Sequence, residues 1–363
     1  MITLDGSYGE GGGQILRTAL ALSALTQLPF KIVKIHENRV DSGLKPQHLA
    51  CINAVKKICN ASVEGEQIGS KEISFFPKKI DNSNLKIDIG TAGSVTLLLQ
   101  SILLPCLFAK KNSMITILGG TDVQWSPQVN YVQEVFIPQI KRFVGKIDLK
   151  LIKRGYYPAG GGEIVLKIKP KFKIEGVFSL QSIRQKLAEI KQIVLVEQNN
   201  LMLIKGISHA STGLSSAKVA ERQAHGAQDF IAKKLHCSVN IRNEYAETLS
   251  AGSGICLWAV FSKLSDDIDI ENPIIVGADV LGEKAFPAEQ VGQKCAEILL
   301  KTVSSGVALD DFLSDQLIPL IALIKGSRIK PANITSHLTA NIYVVEQFFG
   351  CCIRISDGII ESY

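Results

Sequence analysis

Gly9-Glu10-Gly11-Gly12-Gly13-Gln14-Ile15-Leu16-Arg17 stands between a short apolar run, 1–4, that reads as a strand and a stretch, 11–28, with helical periodicity. Ile15, Leu16, Ala19 and Leu20 fall on one face of that helix. A glycine-rich turn from strand to helix lets backbone N–H groups approach an anion closely, with the helix dipole favouring negative charge. It is equally the chemistry of a tight turn with no ligand, and this segment alone does not separate the two. The glycine order is not GxGxxG, so a dinucleotide-binding fold is not supported.

Working outward, the same alternation recurs. The pattern predicts a strand at 30–36, a helix at 46–59 that Pro46 can open, and strands at 73–76 and 86–89. A second cycle follows: a helix at 94–109, a strand at 114–118, a helix at 129–143, and strands near 147–153 and 164–168. Two units of similar order suggest an internal repeat whose sequences barely match. A third unit would close the chain, with helices near 288–302, 311–324 and 340–349. Residues 183–272 have a different texture: short strands around a long helix at 216–235, with no Pro/Gly/Ser-rich linker. The expected division is therefore 1–182 with 273–363 as one body, and 183–272 as an inserted α+β domain.

Composition sets the frame. A chain of 363 residues with 46% hydrophobic content can bury a large core. The net charge of +6 is compatible with a polyanionic partner but does not demand one. Eight cysteines without a CxxC pair read as reduced, buried thiols. The N-terminal stretch has no basic and apolar leader pattern, and the most apolar run, 95–109, is interrupted by Gln100 and Pro105. A cytoplasmic protein with no membrane partner is the expectation.

Several polar residues interrupt apolar helices or open them: Arg17, Arg39, Lys45, Gln47, His48 and Gln100. Each alone reads as a capped or surface group, but together they supply cationic and amide donors near helix starts, where phosphates bind well. Gly277-Ala-Asp-Val-Leu-Gly282-Glu-Lys284 approaches a Walker loop, yet it has Glu before Lys and no following Ser or Thr. None of the six histidines forms HxxxH or HExxH spacing. His337 follows a β-like run and precedes a predicted helix, where an imidazole can serve as nucleophile toward a phosphoryl group. That makes it one candidate among the histidines.

With these segments in view, the chain resembles the RNA 3'-terminal phosphate cyclases from end to end. The matching segments are DGSYGEGGGQILR (5–17), RVDSGLKPQH (39–48), GTAGSVTLLLQ (90–100), GGTDVQWSP (119–127), RGYYPAGGGE (154–163), FLSDQLIP (312–319) and SHLTANI (336–342). The resemblance implies an α+β fold of three repeated βαβ-type units. Each has a four-stranded sheet and two helices, like the C-terminal fold of translation initiation factor 3, and a smaller α+β domain is inserted. It implies a ligase-type nucleotidyl transfer enzyme that converts an RNA 3'-phosphate to a 2',3'-cyclic phosphodiester, with ATP going to AMP and pyrophosphate. The nucleophile would be His337, forming a covalent histidine–AMP intermediate. ATP would be met by Glu10, Arg17, Arg39, Gln47, His48, Gln100, Asp315 and Gln316, with Phe312 stacking on adenine. Glu10 would help hold a divalent metal, Mg2+ or Mn2+. The partner would be RNA ending in a 3'-phosphate, and a homodimer is compatible with the resemblance.

Three positions depart from the common pattern: Phe312 stands in place of Tyr, Ala340 in place of Thr, and Asn130 in place of Asp. Two other readings compete. Non-catalytic relatives acting in rRNA processing lack the nucleophilic histidine, which His337 argues against. Enolpyruvyl transferases, built on a similar repeated unit, are disfavoured by GEGGGQILR and SHLTANI.

Overall fold

The first strand and helix set the architecture. In the computed structural model, which describes residues 1–9, 12–37, 41–81, 84–174, 176, 179–263 and 269–363, β1 (Ile2–Asp5) leads through the glycine turn into α1 (Gly13–Thr26). Every residue of α1 after Gly13 is buried, polar ones included. A helix this apolar all round must be covered on all sides. The chain continues through β2 (Phe30–Val33), α2 (Pro46–Cys59), β3 (Ser62–Glu64) and β4 (Ile73–Phe76). Next come β5 (Asn84–Asp88), α3 (Val95–Leu107), β6 (Ser113–Gly119) and a composite helical segment. That segment comprises α4 (Val129–Tyr131), a π-helical turn at Val132–Phe136 and α5 (Ile137–Ile140), and it leads to β7 (Val144–Lys153) and β8 (Gly162–Pro170). The helix expected across 129–143 is thus widened midway rather than uniform. Pro105 lies inside α3, and Pro138 opens α5 in its first turn, where a missing N–H costs least.

After α6 (Leu180–Lys186) and β9 (Val194–Leu195) come β10 (Asn200–Ser211), α7 (Val219–Ala232), β11 (Ser238–Ala246), β12 (Ser253–Ser262), β13 (Ile274–Leu281) and α8 (Ala288–Ser305). The chain ends with α9 (Asp311–Leu323), β14 (Arg328–Ile329), α10 (Ser336–Phe349), β15 (Ile353–Ser356) and β16 (Ile359–Ser362). This is an α+β arrangement of four-stranded sheets. Three have matching orders: β1-β2-β4-β3, β5-β6-β8-β7 and β9-β14-β16-β15. In each of these the first pair is parallel and the other two are antiparallel. The fourth, β11-β10-β12-β13, carries α7 and α8 packed together.

Two strand pairings run across the segment boundaries expected from sequence. β9, inside 183–272, pairs with β14 of the C-terminal sheet, and Arg184 of α6 donates to the Ala322 carbonyl of α9. β13, outside 183–272, pairs with β12 along its whole length. Composition marks where texture changes but not which edge a strand pairs with. The helix expected at 340–349 begins earlier, at Ser336, because the Thr335 side chain accepts the Leu338 N–H and caps it. The near-Walker stretch from Gly277 is largely strand β13, not a phosphate loop.

A buried polar cluster fastens the fourth sheet to the second. Arg154, 3% exposed, lies 3.1 Å from Asp122 and 2.9 Å from Glu244 of β11. Burial works against its charge, but the two carboxylates outweigh it and hold the guanidinium ionised. Asn130 Oδ1 accepts from the same guanidinium at 2.7 Å. Burial, then Arg154, push His209 down to about 3. The neutral ring donates from Nε2 to Gln128 Oε1 and accepts the Tyr156 hydroxyl at Nδ1, both at 2.8 Å. Removing one partner leaves the others buried and unpaired, so Arg154→Met should cost about 3–5 kcal/mol in urea unfolding. The double change Arg154→Met with Asp122→Leu should cost less than the sum of the single changes.

Candidate active site

α1 is packed against α2, α3 and α10, and its polar residues are therefore forced into contact with those helices. Arg17 is 7% exposed. Its Nε donates to Gln100 Oε1 of α3 at 2.8 Å and its Nη2 to Gln14 Oε1 at 2.7 Å. Gln14 in turn donates to Asn341 Oδ1 of α10 at 3.0 Å, and the Thr18 hydroxyl donates to the same oxygen at 2.5 Å. Asn341 Nδ2 donates to the Asp315 carbonyl of α9 at 2.6 Å. One chain of side chains thus links α3, α1, α10 and α9. Burial pulls the Arg17 guanidinium below its ordinary value, and among the described residues no carboxylate pairs with it. A buried cation surrounded by neutral amides is a place where an anion gains most.

Helix N-termini converge on the same place. Gly12 caps α1 without a side chain, leaving its first N–H groups to other acceptors. His48, in the first turn of α2, lies against Gly13: a Cβ there would meet His48 Nε2 at 2.4 Å and Arg17 Nη1 at 2.9 Å. That crowding explains glycine at this position better than backbone freedom does. His48 Nδ1 accepts the Lys45 N–H at 3.0 Å, which leaves Nε2 to carry the proton of a neutral ring. Gln47 donates to the Ser94 carbonyl at 3.1 Å and so spans from α2 to the start of α3.

The third helix start is that of α10. His337 is exposed in its first turn, behind the Thr335 cap. Thr335 also donates to Asp315 Oδ1 at 2.7 Å, so Asp315 holds α10 through both Thr335 and Asn341. The glycine turn reaches this end: Gly9, at φ +60°, faces the Ser336 carbonyl, while Tyr8 stacks on Tyr343 at 4.2 Å. The Tyr343 hydroxyl accepts the Asp5 N–H at 2.9 Å.

The structure accordingly brings Arg17 together with Gln100, His48 with α1, and Asp315 with the helix that carries His337. Gln316 is half-buried, donates to the Phe312 carbonyl at 3.1 Å, and with Asp315 lines a small cavity bounded by Gln14, Gln100 and Asn341. Phe312, one turn earlier on α9, is 42% exposed and packs edge-to-face against Tyr131 at 5.8 Å. Glu10 and Arg39 lie outside the described residues. Sequence reasoning missed Gln14, Thr18, Thr335 and Asn341. The signal for Gln14 was available, since it stands three residues before Arg17 on an otherwise apolar helix, whereas a lone Thr18 is ordinary there. Thr335 has the N-cap spacing to Leu338, while nothing local distinguishes Asn341.

A family model described as RNA 3'-terminal phosphate cyclase matches residues 8–355. A Pyrococcus furiosus protein named RNA 3'-terminal phosphate cyclase is 43% identical over 362 residues, covering 100% of this chain and 97% of its own. Proteins of the same name from Archaeoglobus fulgidus and Pyrobaculum neutrophilum are each 40% identical, over 361 and 351 residues. They cover 99% and 96% of this chain, and 99% and 92% of their own lengths. The chain belongs to the RNA 3'-terminal phosphate cyclase family.

Burial raises the Asp315 carboxyl from 3.8 to about 7, opposed by the Thr335 hydrogen bond and aided by Asp311 and Asp310. Below about pH 4 folded and unfolded chains are both protonated at this group; between there and 7 only the folded chain keeps the proton. This group's contribution to stability therefore falls as pH rises across that window and levels off above it. Asp315→Asn removes the titration while keeping an acceptor for Thr335. Denaturant titrations at pH 5 and pH 8 should show the variant gaining on the parent at the higher pH, by at most about 3 kcal/mol.

Proposed function

We propose that this protein is an ATP-dependent enzyme that converts RNA 3'-terminal phosphates to 2',3'-cyclic phosphodiesters through an adenylate on His337. The observation that carries the reading is Arg17. Its buried guanidinium has no carboxylate partner among the described residues. It sits where the starts of α1 and α2 converge, and its hydrogen-bond chain runs to α10, which bears an exposed histidine at its own start. A triphosphate would meet the need of Arg17, and His337 would be the nucleophile.

In this mechanism the lone pair of the His337 imidazole attacks the α-phosphorus of ATP. A P–N bond forms, the P–O bond to pyrophosphate breaks, and the ring proton leaves from the other nitrogen. Arg17, His48, Gln47 and Gln100 would stabilise the triphosphate, joined by Glu10 and Arg39. The positive end of α10 favours the negative charge on the α-phosphoryl oxygens. An oxygen of the RNA 3'-phosphate then displaces the histidine, breaking the P–N bond and forming an anhydride with AMP. Finally the neighbouring 2'-hydroxyl attacks the RNA phosphorus, loses its proton and expels AMP. That step is intramolecular and needs mainly positioning. Phe312, backed by Tyr131, offers an exposed ring for the adenine, and Asp315 with Gln316 lines the cavity beside it.

Among the described residues no three His, Cys, Asp or Glu side chains gather to hold a metal. An ion such as Mg2+ would be held largely by substrate phosphates, with Glu10 as a carboxylate ligand. Such an ion supplies charge neutralisation on the triphosphate. The reading extends to the fold: the three sheets of matching order would be repeats of one βαβ-type unit resembling the C-terminal fold of translation initiation factor 3. The fourth sheet would be the inserted domain, running from β10 through α8. Among the described residues no helix is long and apolar enough to cross a membrane.

The test is an RNA labelled on its 3'-terminal phosphate. With ATP and a divalent ion the label should become resistant to phosphatase, and His337→Ala should lose at least about a thousandfold in rate. Conversion without ATP, or at parental rate in His337→Ala, would refute the proposal.

A further inference from the structure

The most exposed aromatic side chains of the described residues lie together. Trp125 is 92% exposed and Tyr157 75%, whereas the other tryptophan, Trp258, is 6% exposed. Trp125 and Tyr157 line the same cleft, about 810 Å³ in volume, between the second and fourth sheets. Its wall also includes Gln47, Ser94, Gly252 and Lys284. Leaving an indole almost wholly in water forfeits the burial that normally places tryptophan inside. The backbone beneath it is also set in an uncommon conformation: Trp125 sits at φ +60°, in a turn closed by the Ser126 hydroxyl donating to the Val123 carbonyl at 2.9 Å. Strain of this kind is retained where surrounding structure imposes it, and it clusters at ligand-contacting positions.

The charged side chains of the cleft lining are Asp122, Glu283 and Lys284. Asp122 is paired with Arg154, and Tyr156 is buried with its hydroxyl on His209. Gln47 lines the cleft and precedes His48 in the first turn of α2, which places the cleft next to the start of that helix. A ligand that lodges a phosphate among Arg17 and the helix starts, and is longer than one nucleotide, would therefore run out past Gln47 onto the two rings.

We infer that this cleft seats the last bases of single-stranded RNA, stacked on Trp125 and Tyr157, with Lys284 from the loop after β13 near the backbone. The inference rests on the proposed function and adds the path of the polynucleotide. Stacking on aromatic faces tolerates any base, so it would give affinity for an RNA end without sequence preference. Lys284 and the overall positive charge supply the salt-sensitive part.

The experiment uses the full chain and a short mixed-sequence RNA with a 3'-phosphate, carrying a dye at its 5' end. Trp258 is buried, so RNA-dependent quenching of tryptophan emission reports on Trp125. The parent protein should show saturable quenching that follows the binding curve read by anisotropy. Trp125→Ala and Tyr157→Ala should each weaken binding about tenfold, and Trp125→Phe should stay within about threefold. Circular dichroism checks folding, which a residue exposed to this degree should not disturb. Saturated anisotropy without quenching, or parental affinity in both alanine variants, would overturn the cleft assignment. The outcome is separable from that of the proposed function. If RNA quenches Trp125 while ATP-dependent cyclisation is absent, the function falls and the cleft stands. If cyclisation occurs but both alanine variants keep the parental RNA concentration for half-maximal rate, the cleft falls and the function stands.

Discussion

A guanidinium taken out of water must find charge or dense hydrogen bonding, and Arg17 finds only the amide oxygens of Gln100 and Gln14 among the described residues. The rest of the site follows from that constraint. Gln100 fixes α3 against α1, Gln14 passes the contact to Asn341, and Asn341 reaches the backbone of α9. Each of these residues is satisfied only if four helices from different parts of the chain arrive together. A site tied in this way is preorganised, so little reorganisation accompanies the binding of a phosphate. Stability given up by burying an unneutralised cation is returned when the anion arrives.

The arrangement also explains how the histidine proposed as nucleophile can sit exposed and still be positioned. The side chain of His337 need not be buried, because its helix is held by Thr335 on Asp315, by Asn341, and by Tyr343 receiving the Asp5 N–H. Ala340, where the family commonly has Thr, is 6% exposed on the buried side of that helix. The departure therefore bears on packing near His337, not on the imidazole itself.

Much of the fold was legible because it rests on local pattern. The strand–glycine turn–helix opening, the alternation of short strands with apolar helices, and the helix of α9 could all be read from periodicity and turn chemistry. The boundary of the fourth sheet could not be read that way. Whether β9 pairs with β14 or β13 with β12 depends on contacts far apart in sequence, and no residue type marks the choice. At the site, Arg17 and Gln100 stood out as polar residues on apolar helices, while Asn341 and Thr18 did not, since a lone Asn or Thr on a helix is ordinary. The clamp of Arg154, Asp122 and His209 was invisible for a different reason: its members come from separate sheets and mean something only once juxtaposed.

The central claim is that His337 becomes covalently adenylated, and it is most directly tested by incubating the protein with α-labelled ATP and a divalent ion, without RNA. The account predicts label on the protein that is lost in acid, maps to the peptide containing His337, and is absent from His337→Ala. A protein that acquires no label, or one whose label persists in His337→Ala, would contradict it.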